Sequence, residues 1–292
     1  MTLDVFESLL LYHLTKVYTG RKKTVRTNWT RYSDLLVDKF ANHAGTLCHI
    51  IKGFIEVEKG ENWKKVSTDV FSTYTLLRSL VETYATFNHI FVSPQTDDEK
   101  EFRFLIWQIE GLLSQEKFKI YPSDFEGAGD ILSQNSNQLH AVKSKLEESS
   151  FFKKIGSAEL AKIYNFEKSQ AHWKFTYDSE KQTITRLNIL QLVEVACPIK
   201  AYYNFYKYAS MHTHAGFISV ERYERIRGKV LPEGFFSPFI NLGSYTTILL
   251  IKDLCTIDTN ANSVFEAFDL KERDIINFVY GAIKKKSNTN DT

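Results

Sequence analysis

Glycine and proline are scarce in this sequence, with 13 Gly and 5 Pro among 292 residues. These residues mark turns, and a fold with many strands needs many turns. Their scarcity therefore favours long helices. Cysteine is also rare, since only Cys48, Cys197 and Cys255 occur, far apart and in apolar stretches. An odd number without CxxC spacing argues against a disulfide framework and predicts buried free thiols in a reducing compartment.

Long apolar runs and an excess of one charge are missing as well. No run approaches the roughly 20 apolar residues that a membrane span requires, so we expect no membrane partner. Residues 1–7 carry acids where a secretory signal carries positive charge, which indicates a cytoplasmic protein. The formal net charge of +2 gives no global attraction for a polyanion, so nucleic acid would bind only at a local patch.

Sequence motifs of several enzyme classes are also missing. The patterns GxxxxGK[ST], GxGxxG, HExxH and GxSxG do not occur, which leaves phosphate-loop, dinucleotide-binding, zincin and hydrolase-elbow functions without support. On a helix, His212 and His214 would point about 200° apart, which is unfavourable for a shared metal. We expect no cofactor and no metal. A metal-dependent hydrolase that uses His43, His49, His212 or His214 is the third functional alternative.

Apolar and aromatic residues at helical spacing are what the chain has in abundance. Apolar residues make up 43% of the chain and aromatic residues 14%, enough for a sizeable core. The period of the apolar positions predicts an all-α fold, an irregular bundle of long antiparallel helices with a less regular middle insertion. The predicted helices cover 3–18, 31–58, 70–92, 97–117, 131–148, 157–168, 185–197, 199–215, 219–227, 238–254, 261–267 and 270–286.

The predicted domain organisation is a single helical domain over 1–292. Its core comprises 31–118 and 185–283, and the middle insertion 119–184 contains an irregular segment, 172–183, with alternating polarity that suggests a short extended arm. A polar tail, 284–292, is expected to be disordered. Ser67, Thr68 and Asp69 are candidate caps at the start of the helix 70–92.

One face of the helix 70–92 carries Arg, Glu and His. Arg78 and Glu82 are its only charged residues, and helical projection groups them with His89 within about 60°. Because the rest of the circumference is apolar, these side chains should be partly buried. Two interpretations remain open, a structural ion pair between Arg78 and Glu82 or a functional site.

The segment 202–216 holds a second polar face. Projection of its helix groups Tyr203, Lys207, Ser210 and His214. A histidine near neutral pH can act as general acid or base, and a serine one turn away can orient it. The alternative is that His214 simply ends the helix, because histidine favours the helix C-terminus and Gly216 follows as a cap.

These two motifs, Arg-x-x-x-Glu in an apolar helix and a later Tyr-x-x-x-Ser-x-x-x-His, resemble a family of bacterial helical domains distantly similar to the HEPN group, which includes RNA-cleaving toxins and defence proteins. The resemblance covers 31–92 and 185–218. It implies that Arg78, Glu82, Tyr206, Ser210 and His214 meet between antiparallel helices. RNA-cleaving HEPN domains also carry an Arg and a His on one helix with four to six residues between them, and no Arg of this chain has a His at that distance.

Two functions from different classes follow. In the first, a HEPN-like protein binds or processes RNA or a phosphate-bearing nucleotide in bacterial stress or defence. Arg78 would clamp the anion, Glu82 would orient Arg78, and His214 would exchange a proton. This function needs a concave, partly open site, and whether it includes catalysis is left open. The further ligand-binding candidates are Tyr203, Tyr206, Lys207 and His89.

The second function is a non-enzymatic interaction or regulatory module. It needs the same polar cluster fully buried and mutually hydrogen-bonded, as a structural element. An exposed apolar face, for which the stretch 235–254 is the candidate, would then pair two copies as a homodimer.

Overall fold

The computed structural model describes residues 1–20, 28–59, 70–117, 121, 123, 126–165, 168, 170–214, 216–227, 231 and 234–285. The chain folds into two compact units. The first unit comprises Met1–Asn88 and Val193–Thr292, and the second comprises His89–Leu192.

Helices form nearly all of the described structure, together with two small hairpins. π-Helical segments follow α1, over Leu9–Leu14, and α4, over Asn88–Val92. In chain order the elements are α1 Leu3–Ser8, α2 Thr15–Thr19, α3 Asn28–Lys59, α4 Val70–Phe87, α5 Asp97–Glu116, α6 Ala128–Glu148, α7 Ser150–Lys154, α8 Ser157–Ile163, β1 Tyr164–Asn165, β2 Gln170–Ala171, β3 Phe175–Asp178, β4 Thr183–Arg186, α9 Ile189–Ala196, α10 Lys200–His212, α11 Phe217–Ile226, α12 Ser237–Ile257, α13 Thr259–Glu266 and α14 Leu270–Lys285.

The apolar helix α12 is the core of the first unit. It begins with Pro238 in its first turn, where a missing N–H costs nothing. It packs against α1, α4, α13 and α14. Its apolar side chains from Phe239 to Leu254 are buried on nearly every face. The stretch 235–254 therefore does not supply an exposed dimer face, because the unit's own helices cover it.

Helix α4 lies between α3, α10 and α12. Tyr74, Leu77, Leu80 and Tyr84 are buried along it, as the apolar circumference predicts. This packing places the polar face of α4 against α10 and determines which side chains can meet there.

The second unit is built on α5, which packs against α6, α7 and β2. Thr96 caps α5 by accepting from the backbone N–H of Glu99. Helix α8 ends at Ile163, earlier than the predicted 168, because Tyr164–Asn165 pairs with Gln170–Ala171 in an antiparallel hairpin. The predicted irregular segment 172–183 overlaps a second hairpin, in which β3 pairs with β4.

The all-α prediction is confirmed, and so are the three buried free cysteines. Among the described helices, none is long and apolar enough to cross a membrane. The proposed caps Ser67, Thr68 and Asp69, and most of the tail 284–292, lie outside the described residues. The single-domain organisation stays a prediction.

Replacing Gly243 with Ala should destabilise the first unit. A Cβ at Gly243 would lie 2.5 Å from Cζ of Phe6, whose ring is fully buried, so α1 would have to move away from α12. We expect the free energy of unfolding in urea to fall by about 1–3 kcal/mol. Gly45→Ala is the matched control, since its Cβ meets nothing within 4 Å and should stabilise α3 by about 0.5–1 kcal/mol. Equal effects would contradict this packing.

Candidate functional site

Arg78 and Glu82 form an ion pair on α4. The Nε atom of Arg78 donates to Oε1 of Glu82 at 2.7 Å, one helical turn away. Their side chains are 29% and 30% exposed, so the pair is neither fully buried nor freely solvated. The ion pair therefore lies at the boundary between the core and the solvent.

Helix α10 contributes two further side chains to this pair. Tyr206 donates its hydroxyl to the same Oε1 of Glu82 at 2.5 Å, and its ring lies 5.6 Å from the guanidinium carbon of Arg78. Nη1 of Arg78 donates to Oγ1 of Thr213 at 3.3 Å. We call Arg78, Glu82, Tyr206, Ser210 and Thr213 the Arg78 cluster.

Tyr206 keeps its proton and Arg78 keeps its charge at neutral pH. Burial, followed by the hydrogen bond to the Glu82 carboxylate, raises the pKa of Tyr206 to about 12, so its hydroxyl remains a donor. Burial opposes the charge of Arg78, but the bond and attraction of Glu82 outweigh it and raise the pKa of Arg78. A permanent cation therefore sits beside its carboxylate.

Ser210 and His214, the two catalytic residues predicted in the segment 202–216, differ in burial. The hydroxyl of Ser210 is buried and has no hydrogen-bond partner among the described residues, whereas its carbonyl accepts from Oγ1 of Thr213 at 2.7 Å. Helix α10 ends at His212, so His214 lies beyond it and is exposed. Thr213, which was not predicted, takes the place beside Arg78.

Tyr203 and Lys207 lie on another part of α10. Nζ of Lys207 lies 4.4 Å from the centre of the Tyr203 ring, a cation–π contact one turn apart. Lys207 is exposed and Tyr203 is half-buried. Of the three predicted ligand-binding residues on α10, only Tyr206 donates a hydrogen bond to Glu82.

His89 belongs to the second unit, where it is buried. The backbone becomes π-helical at Asn88, so extrapolation at 100° per residue fails beyond Phe87. Its Nε2 lies 2.8 Å from the carbonyl of Trp173, and its Nδ1 lies 3.0 Å from Nη1 of Arg103. A carbonyl and a guanidinium fix the neutral tautomer, in which Nε2 donates and Nδ1 accepts.

The buried partner of Arg103 is Glu99. Nε and Nη2 of Arg103 donate to Oε1 of Glu99 at 2.9 and 2.5 Å, and Nη1 also donates to the carbonyl of His89 at 3.1 Å. Burial and the Arg103 charge lower the pKa of His89 well below its ordinary value. With both ring nitrogens occupied, His89 is placed to hold its unit together.

His212 is buried in an aromatic environment. Its ring lies 4.6 Å from that of Tyr208 and 4.9 Å from that of Tyr74, and burial, followed by the charge of Arg222, lowers its pKa. Among the described residues, no group of three or more His, Cys, Asp or Glu side chains could hold a metal ion.

Sequence reasoning missed Asp253, an acid that is fully buried. Its carboxylate is fully buried and accepts from Tyr84 and Asn88 at 2.7 Å each and from Tyr280 at 2.9 Å. The available signal was an isolated Lys252-Asp253 pair in an otherwise apolar helix. An acid at such a position needs partners, which only the packing of α4 and α14 supplies.

Comparison of the chain with protein-family models, curated proteins and solved structures found no match. The resemblance to HEPN domains therefore stays a prediction.

Replacing Arg103 with Met should strongly destabilise the second unit. The change leaves the buried Glu99 carboxylate without its cation, which typically costs about 3–5 kcal/mol. The control is Arg225→Met, which breaks a Glu221–Arg225 pair of the same spacing and the same 2.5 Å length on the exposed face of α11. There we expect a loss of at most about 0.5 kcal/mol in chemical denaturation. Equal losses would contradict the buried position of Arg103.

Stability should also depend on pH through His89. The unfolded chain takes up this proton near pH 6.5 and the folded unit resists it, so folding loses up to about 1.4 kcal/mol per pH unit below that value. His89→Gln keeps a donor and an acceptor but does not titrate. Its free energy of unfolding should therefore fall less steeply than that of the wild type between about pH 6.5 and 5.

The measurement is urea unfolding at several pH values, with His140→Gln on the exposed side of α6 as control. Equal slopes for His89→Gln and the wild type would show that His89 is protonated as easily in the folded as in the unfolded chain.

Proposed function

We propose that the protein binds a phosphate-bearing ligand, an RNA end or a nucleotide, at the Arg78 cluster. The observation that supports this function is a guanidinium positioned by two helices and still open to solvent. Arg78 donates one N–H to Glu82 and one to Thr213, and a further hydrogen-bonding interaction with Tyr206 contributes to its raised pKa. The remaining N–H groups can bind two oxygens of a phosphate side by side.

Glu82 and Tyr206 act on the ligand through Arg78. The carboxylate fixes the plane of the guanidinium, and the Tyr206 hydroxyl occupies Oε1, the oxygen that Arg78 also uses. Holding the guanidinium in one orientation lowers the entropy cost of binding. Because Arg78 and Glu82 together carry no net charge, affinity would depend on hydrogen bonds more than on long-range attraction.

Ser210 and His214 extend the proposed site. The Ser210 hydroxyl has no partner in the described structure, but it is buried, so a ligand oxygen would bind it only after neighbouring side chains move aside. His214 is exposed one residue after Thr213, where its imidazole can donate to an anion or exchange a proton near neutral pH. If the protein cleaves the RNA that it binds, His214 would be the residue that transfers the proton.

The alternative, an interaction module with a structural cluster, fits the geometry less well. It needs full burial and complete hydrogen bonding, whereas the ion pair is about one third exposed and the Ser210 hydroxyl is unpaired among the described residues. The stretch 235–254, its candidate dimer face, is covered within the first unit.

Replacing Arg78 with Gln should weaken binding of a 5′-phosphorylated RNA oligonucleotide or a nucleoside monophosphate at least tenfold. Loss of a charge-assisted hydrogen bond costs about 1.5–3 kcal/mol, which corresponds to that factor or more. Fluorescence anisotropy at two salt concentrations measures the affinity, and circular dichroism checks folding. Arg31→Gln, a change of the same charge at an exposed position of α3, is the control.

The wild type should also be compared with the variants Arg78→Ala and His214→Ala during expression in bacteria. If the ligand is processed, RNA integrity and growth should suffer with the wild type and recover with Arg78→Ala and with folded His214→Ala. Equal affinity of the wild type and Arg78→Gln for every phosphate probe would overturn the proposed function.

A further inference from the structure

The second unit contains an open cavity that the Arg78 cluster does not share. It lies between the last turns of α5 and the β1–β2 hairpin, which pack against each other. Its volume is about 260 Å³, a little below the range of sites for drug-sized ligands, so it suits a small ligand. Leu113 and Ala171 form an apolar floor, and both are buried.

Polar side chains surround this floor without bonding to one another. Ser114 and Lys117 approach from α5, and Lys168, Gln170 and His172 approach from the hairpin. None of these five side chains makes a hydrogen bond or an ion pair with the residues that the structure describes. The backbone beneath them is fixed, since the N–H of Lys168 donates to Asn165 and that of His172 to the carbonyl of Ile163.

Positive charge dominates the cavity. Lys117 and Lys168 are lining cations. Glu110, the one acid among the described lining residues, lies 3.7 Å from Nζ of Lys174. Both lysines are exposed, and each carries a compact positive charge at the end of a long, flexible side chain. Such an arrangement is attractive for a ligand that brings a compact double negative charge.

We infer that this cavity binds a small phosphate monoester, with its phosphate between Lys117 and Lys168 and its carbon part on Leu113 and Ala171. Lysine binds phosphate as a point charge, whereas a planar carboxylate favours the fork of arginine. Ser114 and Gln170 supply neutral donors for the remaining oxygens. This site is independent of the proposed function, because it uses other residues in the other unit.

His172 provides the means of observing the site. Burial, followed by the charge of Arg186, lowers its pKa, with Lys174 and Lys117 acting in the same direction and Glu110 against them. A phosphate bound in the cavity would add negative charge beside the imidazole and raise that pKa. Phosphate binding should therefore shift the titration of His172 upward.

The test uses inorganic phosphate as the probe and the full chain carrying Arg78→Gln, which removes the site of the proposed function. Histidine ring resonances are followed by NMR at constant ionic strength, with the His172 signal assigned from its absence in His172→Gln. We expect saturable movement of that signal and an upward shift of its titration midpoint. Replacing Lys117 and Lys168 together with Gln should weaken the binding at least tenfold.

The control is Lys145→Gln, a change of charge at an exposed position of α6, which should leave phosphate binding unchanged. An equal response in the double variant, or no saturable movement at tens of millimolar phosphate, would overturn the inferred site. Because Arg78 is already replaced, neither result bears on the Arg78 cluster.

Discussion

The carboxylate of Asp253 constrains how the helices of the first unit can pack. It lies near the C-terminal end of α12 with no exposed surface. One oxygen accepts from Tyr84 and Asn88, and the other accepts from Tyr280. A charge in such surroundings is very costly unless several donors surround it. Helices α4, α12 and α14 must therefore keep the arrangement that brings those three donors together.

This constraint extends to the candidate site. Tyr84 lies two residues beyond Glu82 on α4, so the contact with Asp253 also fixes the rotation of α4 about its axis. With that rotation, Arg78 and Glu82 face α10, where Tyr206 and Thr213 bind them. A polar contact in the core thereby determines where a partly open polar site can form.

Three pairs of Arg and Glu, each four residues apart on a helix, show what local spacing leaves undecided. The pair Glu99–Arg103 is buried, Arg78–Glu82 is about one third exposed and Glu221–Arg225 faces solvent. Their sequence spacing is the same. The exposed pair contributes little to stability, and loss of one partner of the buried pair would be costly. Of the three, only the intermediate pair combines a fixed guanidinium with partial exposure to solvent.

The sequence by itself determined the helical fold and most helix positions, because apolar periodicity is a local property that survives wherever the segment packs. It also predicted the pairing of Arg78 with Glu82, which one helical turn brings together. The hairpins, the π-helical turn at Asn88–Val92 and the contact of Thr213 with Arg78 were decided by tertiary structure. Tertiary structure also decided the partners of Asp253, one of which, Tyr84, lies 169 residues away in sequence. Contacts at such separation depend on how helices pack against each other, which no local pattern of residues specifies.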